Sequence, residues 1–183
     1  EVTPAQIDLG TRFWKAMRSD TPIALETLRH GDTSALCYAG EAMERFLQQY
    51  PSVQNGLSQL EEEVLQAVRH GADNPGALFR SVSVMEARPF FGDIMLWGVV
   101  NELAAAPEPL LTLSGPGPLP LWDPADLKRW NLALTPTGET ILGGGRDYVQ
   151  LRGLDRWIGG VHLHGCAVPW RWDCNAKCIA HGD

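Results

Sequence analysis

A β-strand that leads into a short helix is predicted by Leu132-Ala133-Leu134-Thr135-Pro136-Thr137-Gly138-Glu139-Thr140-Ile141-Leu142. Upstream, the apolar segment 110–113 predicts a second strand, and a loop rich in Gly and Pro separates the two. Three helices are predicted further upstream. The first begins at the capping box of Ser58 and Glu61, the second at Asn74-Pro75, and the third runs from Gly92-Asp93 to about Ala106.

This order of three helices, a strand, a long loop, a strand and a short helix is that of a winged helix. The stretch 132–142 also resembles the second wing strand and following helix of many winged-helix regulators. We therefore expect residues 56–142 to form a winged-helix-like core.

The flanking segments complete an α+β fold that is mainly helical. Residues 1–55 read as an N-terminal helical subdomain, with helix starts at Thr3-Pro4 and Thr21-Pro22 and a third helix within 34–50. Residues 143–183 begin with a three-glycine joint. They continue as one β-hairpin, with strands 157–163 and 169–173 and a turn at 165–168. Cys174 and Cys178 are expected in a loosely held tail.

Composition indicates a globular cytoplasmic protein. The chain has 183 residues, of which 44% are hydrophobic and 20% are charged. It shows no export signal and no apolar run of the roughly 20 residues that cross a bilayer, so no membrane is expected. Four cysteines are too few for a disulfide framework and predict free thiols. The missing initiator Met suggests a trimmed piece of a longer protein.

The charge distribution argues against nucleic acid as a partner. The formal net charge is −7, and residues 56–142 carry five basic and eleven acidic side chains, a net of −6. The third predicted helix of this core, where a DNA-reading helix would lie, contains no Arg or Lys. Direct DNA binding would need a basic strip built from other residues: Arg12, Lys15, Arg18, Arg29, Arg45, or Arg146, Arg152 and Arg156.

Apolar residues of the same helix indicate burial on more than one side, either within the chain or under a partner. Phe90 and Phe91, with Trp97, could form a dimer contact if they are exposed. In Trp170-Arg171-Trp172-Asp173, the arginine could stack on a ligand ring, or the tryptophans could anchor the hairpin while Arg171 and Asp173 pair or face solvent. The candidate interaction residues are Phe90, Phe91, Trp97, Asn101, Trp170, Arg171, Trp172 and Asp173.

No motif for catalysis or cofactor binding is present, so we expect no catalytic residue and no cofactor. The C-terminal segment does contain zinc-binding side chains, but their spacing departs from that of zinc knuckles. If a metal were bound, His162 and His164, which share one strand face, and Cys166 would be its ligands.

Three phrases are distinctive: 50–58 (YPSVQNGLS), 155–163 (DRWIGGVHL) and 170–173 (WRWD). Together they resemble the C-terminal part of the bacterial family named domain of unknown function eighteen thirty-five. The resemblance implies a bacterial cytoplasmic protein with a further domain upstream, and it brings no catalytic residues.

We therefore predict a non-catalytic regulatory or protein-interaction module that contacts another protein or a second copy of itself. A DNA-binding regulator is the alternative. A zinc-binding or enzymatic domain that uses the C-terminal His and Cys residues is the third hypothesis.

Overall fold

The computed structural model describes residues 1–88, 90–105, 107–122 and 126–182. Within these ranges the helices are α1 (Pro4–Met17), α2 (Ile23–Arg29), α3 (Ala39–Leu47), α4 (Gln59–Arg69), α5 (Pro75–Met85), α6 (Asp93–Leu103), α7 (Pro136–Leu142) and α8 (Tyr148–Arg152). The strands are β1 (Leu111–Ser114), β2 (Asn131–Leu134), β3 (Leu154–Ile158), β4 (Val161–Gly165), β5 (Trp170–Asp173) and β6 (Cys178–His181). The fold is α+β and mainly helical, as predicted.

The predicted starts of several helices are confirmed by their caps. Thr3 caps α1, Asn74 caps α5 through the amide of Ala77, and the Glu61 carboxylate accepts hydrogen bonds from the Ser58 amide and hydroxyl at the start of α4. These caps satisfy amide groups that the first helical turn leaves without partners. The end predicted for α6 at Ala106 lies outside the described residues.

Residues 57–148 enclose a first hydrophobic core. It contains buried side chains from α4, α5, α6, β1, β2 and α7. Strand β1 pairs antiparallel with β2, with Leu111 opposite Leu134. The predicted order of elements is present, and the assignment of this part as a winged helix stays a prediction. Asp123, one of the eleven acidic side chains counted in residues 56–142, lies outside the described residues.

A second core forms between the two ends of the chain. Leu25, Met43 and Tyr50 from the N-terminal part pack with Leu163 and Trp172 from the C-terminal strands. Helix α8, which the sequence did not predict, lies between the two cores because Tyr148 belongs to the first and the adjacent Val149 to the second.

The prediction of a single C-terminal hairpin is wrong. Strand β3 pairs with β4 and β5 pairs with β6, and each pair is a separate two-stranded antiparallel sheet. The segment 157–163 is not one strand, because Gly159-Gly160 forms the turn between β3 and β4. Gly159 has a φ of +59°, and the Gly160 amide donates to the Met17 carbonyl at the end of α1. Two glycines between apolar runs are a known hairpin signal.

Cys174 and Cys178 do not lie in a loose tail. Cys178 begins strand β6 opposite Asp173, and Cys174 is half-buried beside the second core. The Asp173 carboxylate accepts hydrogen bonds from the Asn175 and Ala176 amides and so fixes the turn between β5 and β6. All four cysteines are free thiols. Among the described residues, no helix combines the length and the apolar character that crossing a bilayer requires.

Candidate functional site

The predicted interaction residues of β5 mostly have structural partners. Trp172 is 3% exposed, and its backbone bonds to Pro51 and Val53. Arg171 donates to the Asp147 carboxylate at 2.6 Å and to the Ser52 carbonyl at 3.2 Å. These contacts hold the guanidinium in place. The hypothesis that Arg171 stacks on a ligand ring is therefore less well supported.

The remaining residues of the same tetrapeptide are also engaged. Trp170 is half-buried and meets the His181 ring edge-on, with centroids 4.6 Å apart. Asp173 holds the β5–β6 turn and does not pair with Arg171. Of the two open hypotheses, the structure favours tryptophans that anchor the hairpin. Arg171 and Asp147 also line a shallow depression of about 570 Å³, which includes Cys166.

The predicted contacts around α6 divide between core and surface. Trp97 is 4% exposed and belongs to the first core, so it cannot contribute to a dimer contact in this fold. Phe91 packs edge-on against Phe79, with centroids 5.9 Å apart. The Asn101 side-chain amide group donates a hydrogen bond to the Leu119 carbonyl, and the Asn101 side-chain oxygen accepts one from the Leu119 backbone amide. Most of the apolar surface of α6 is therefore covered within the chain.

A cleft of about 160 Å³ remains between α6 and β3. Met95 of α6 and Trp157 of β3 lie at its mouth, 51% and 65% exposed. Phe90 is half-buried at the edge, with its ring 4.1 Å from the Arg45 guanidinium carbon. The other lining residues are Gln49, Ser58, Leu60, Glu61, Val99, Glu102, Arg156 and Ile158.

An ion pair lies in the wall of this cleft. Arg156 donates to Glu61 at 2.5 Å, and the Glu61 side chain is 3% exposed. Burial alone would raise the pKa of Glu61, but the Arg156 charge and hydrogen bonds from Arg156 and Ser58 outweigh it, so the pKa falls below its usual value. The Glu61 charge in turn raises the pKa of Arg156. Both groups are therefore ionised.

Glu102 makes the cleft anionic. Its carboxylate is 60% exposed and lies 3.4 Å from the same Arg156 nitrogen. The cleft therefore has one guanidinium and two carboxylates, with apolar walls beside them. Sequence reasoning missed this arrangement because Glu61 and Arg156 are 95 residues apart. The capping box indicated only the local role of Glu61.

The exposed face of the β3–β4 hairpin holds a second group of polar side chains. Trp157 lies opposite His162, and Asp155 lies opposite His164. His162 Nε2 is 2.7 Å from Asp155 Oδ1, and the His162 ring is parallel to the Trp157 ring at 4.5 Å. The predicted shared face of the two histidines is confirmed, whereas Asp155 was missed. Cys166 lies at the other depression and is not part of this group.

Several arginines of the hypothetical DNA-binding strip are already paired with carboxylates. Arg29 contacts Glu26 and Glu44, and Arg45 contacts Glu86. The same holds for two others: Arg12 with Asp8, and Arg156 with Glu61. The carboxylate beside each of these guanidinium groups offsets its positive charge and lowers the local attraction for a phosphate backbone.

No family model, curated protein or solved structure matches the chain in the comparisons with known proteins. The resemblance to domain of unknown function eighteen thirty-five therefore stays an expectation.

Proposed function

We propose that this chain is a non-catalytic protein-interaction module whose cleft between α6 and β3 binds a basic and apolar segment of another protein. The observation that carries the proposal is the anionic cleft with exposed Met95 and Trp157 at its mouth. An aromatic ring and a flexible thioether provide adaptable contact area, and both residue types are enriched at protein interfaces.

The charge of the cleft supports a basic occupant. The Arg156 guanidinium is shared between the Glu61 and Glu102 carboxylates, so the cleft keeps an excess of negative charge that attracts a cation. One face of Trp157 is stacked on His162, and the side chain is still 65% exposed, so a lysine or arginine can contact the indole. The volume of about 160 Å³ is many times that of one water molecule and accommodates a side chain.

The other partner classes are less well supported. Two copies of a chain with a net charge of −7 repel each other, which disfavours a second copy as the occupant. Duplex DNA meets the same acidic surface, and several of the arginines that could contact phosphate already face carboxylates.

The test uses two peptides of equal length, one alternating Leu with Lys and one alternating Leu with Glu. We expect the Lys peptide to bind and to shift the NMR signals of the Trp157 indole N–H and the Met95 methyl group. Trp157→Ala should weaken binding by about tenfold or more, as is typical of a central aromatic contact. Trp14→Ala is the matched control, because Trp14 is also 60% exposed but lies on α1.

Four results would contradict the proposal: no binding of the Lys peptide, equal binding of both peptides, equal losses in the two tryptophan variants, or shifts outside the cleft. Sedimentation of the chain alone tests for a second copy as the occupant. Salt-sensitive binding to duplex DNA would favour the DNA-binding hypothesis instead.

A further inference from the structure

We propose that Asp155, His162 and His164, on the exposed face of the β3–β4 hairpin, bind a divalent transition-metal ion such as Zn²⁺. None of the three ligands lines the proposed partner cleft, although Trp157, which stacks on His162, borders both places. The inference therefore does not depend on the proposed function.

The antiparallel register of the hairpin produces this cluster. Side chains alternate between the two faces of a strand, so Asp155 and Trp157 share a face, as do His162 and His164. The Gly159-Gly160 turn pairs Ile158 with Val161 and thereby places all four side chains on the same outward face. The opposite face carries Ile158, Val161 and Leu163, which are buried in the second core. The backbone beneath the cluster is thus fixed by packing.

The distances among the three side chains suit a single ion. Zinc bonds to nitrogen and oxygen at about 2.0–2.1 Å, so two ligands of a tetrahedral site are roughly 3.3 Å apart. The distances from Asp155 Oδ1 are 2.7 Å to His162 Nε2 and 3.9 Å to His164 Nδ1, on either side of that value. All three ligand atoms lie within 4.8 Å of one another. Small side-chain rotations would bring them to bonding distance.

The chemical character of the donors also fits. Two imidazoles and one carboxylate are a common ligand set for Zn²⁺, and they leave a fourth position open for water. The hydrogen bond from His162 holds the pKa of Asp155 below its usual range, so this carboxylate is ionised. The parallel Trp157 ring restricts rotation of the His162 ring.

An ordinary hydrogen bond between Asp155 and His162 is the competing explanation for the cluster. That explanation leaves His164 without a role, whereas a metal site uses all three side chains. It also predicts no binding of metal. The two explanations therefore differ in a measurable quantity.

The experiment is a calorimetric titration of the full chain, without an affinity tag, with Zn²⁺ at about pH 7.5 in a reducing buffer. We expect one equivalent to bind with a dissociation constant below about 100 μM. The imidazole nitrogen NMR signals of His162 and His164 should shift. Binding should weaken on acidification, because protons compete with the metal for the imidazole nitrogens.

Variants identify the ligands. His162→Ala and His164→Ala should each weaken binding by about tenfold or more, and Asp155→Asn should weaken it by less because an amide oxygen is a poorer ligand. His181→Ala and a combined Cys166→Ser, Cys174→Ser and Cys178→Ser variant are the controls and should bind as the parent chain does. His162→Gln provides a second test if the alanine variant fails to fold.

Absence of binding below about 100 μM would overturn the proposal. So would unchanged affinity in His162→Ala or in His162→Gln, or loss of binding in the cysteine variant alone, which would assign the metal to the thiols.

Discussion

Arg156 of β3 and Glu61 of α4 form an ion pair at 2.5 Å that joins residues 95 positions apart and connects the two hydrophobic cores. Glu61 lies at the start of α4, which packs into the first core. Arg156 lies in β3, which packs into the second core. The contact therefore links α4 to the β3–β4 hairpin in the wall of the cleft.

Removal of one partner of this pair should be strongly destabilising. Arg156→Met leaves the Glu61 charge buried without compensation and should lower the free energy of unfolding by about 3–5 kcal/mol. Urea denaturation at neutral pH measures the change. The double variant Arg156→Met, Glu61→Gln should lose less, because Gln preserves the helix cap and carries no charge. Arg12→Ala is the control and should cost under about 0.5 kcal/mol, because the Arg12–Asp8 pair is exposed. Equal losses for Arg156→Met and Arg12→Ala would contradict this account.

Buried Glu63 should make the stability of the fold depend on pH. The sign of this dependence is opposite to that expected for a carboxylate in an ion pair. Burial, with a smaller effect of nearby Glu86, raises the pKa of Glu63 from 4.5 to about 7. Because the pKa is raised, the contribution of Glu63 to the free energy of unfolding is fully present below about pH 4.5. This contribution is lost as the pH rises through 7. Its Oε2 atom is also buried without a hydrogen-bond partner among the described residues.

Glu63→Gln should therefore increase the free energy of unfolding above pH 7 by about 1–3 kcal/mol, the range for an unsatisfied buried polar group. Chemical denaturation across a pH series measures the effect. Glu62→Gln is the matched control, because Glu62 is the neighbouring carboxylate on α4 and is half-buried. A Glu63→Gln variant with the same pH profile as the parent would contradict the raised pKa of Glu63.

The Gly159-Gly160 turn should tolerate no side chain at its second position. A Cβ at Gly160 would overlap the carbonyl oxygens of Arg18 and Ser19 at the end of α1. Gly160→Ala should therefore destabilise the fold by about 1–3 kcal/mol. Gly10→Ala is the contrasting variant, since Gly10 is inside α1 and its Cβ would meet no atom within 4 Å. Gly10→Ala should raise the free energy of unfolding by about 0.5–1 kcal/mol. Thermal unfolding of both variants measures the difference, and a Gly160→Ala variant more stable than Gly10→Ala would refute the steric explanation.

Arg171 should act as a structural residue. Its guanidinium bonds Asp147, whose Oδ1 also accepts the Gln150 amide at the start of α8. Arg171→Met should destabilise by about 1.5–3 kcal/mol, the range for hydrogen bonds to charged groups. Asp147→Asn should lose the ion pair but keep the cap, and so cost less. Urea denaturation measures both changes. An Arg171→Met variant of unchanged stability would revive the hypothesis that Arg171 binds a ligand.

Local sequence patterns predicted several features of this protein correctly. Caps at Thr3, Ser58 and Asn74 predicted where three helices begin, because capping depends on residues within one turn. The predicted alternation correctly placed His162 and His164 on one face, although their strand is 161–165 and not the predicted 157–163. The excess of carboxylates over basic residues was also evident from composition alone.

The contacts between distant segments became evident only from the folded chain. The pairing of β3 with β4, the contact of Arg156 with Glu61 and the position of Asp155 beside His162 each depend on register or on long-range packing. Local propensity carries no information about contacts between residues that are distant in sequence, since these contacts form only when two apolar faces bury each other. Both the anionic cleft and the proposed metal site are made by such contacts.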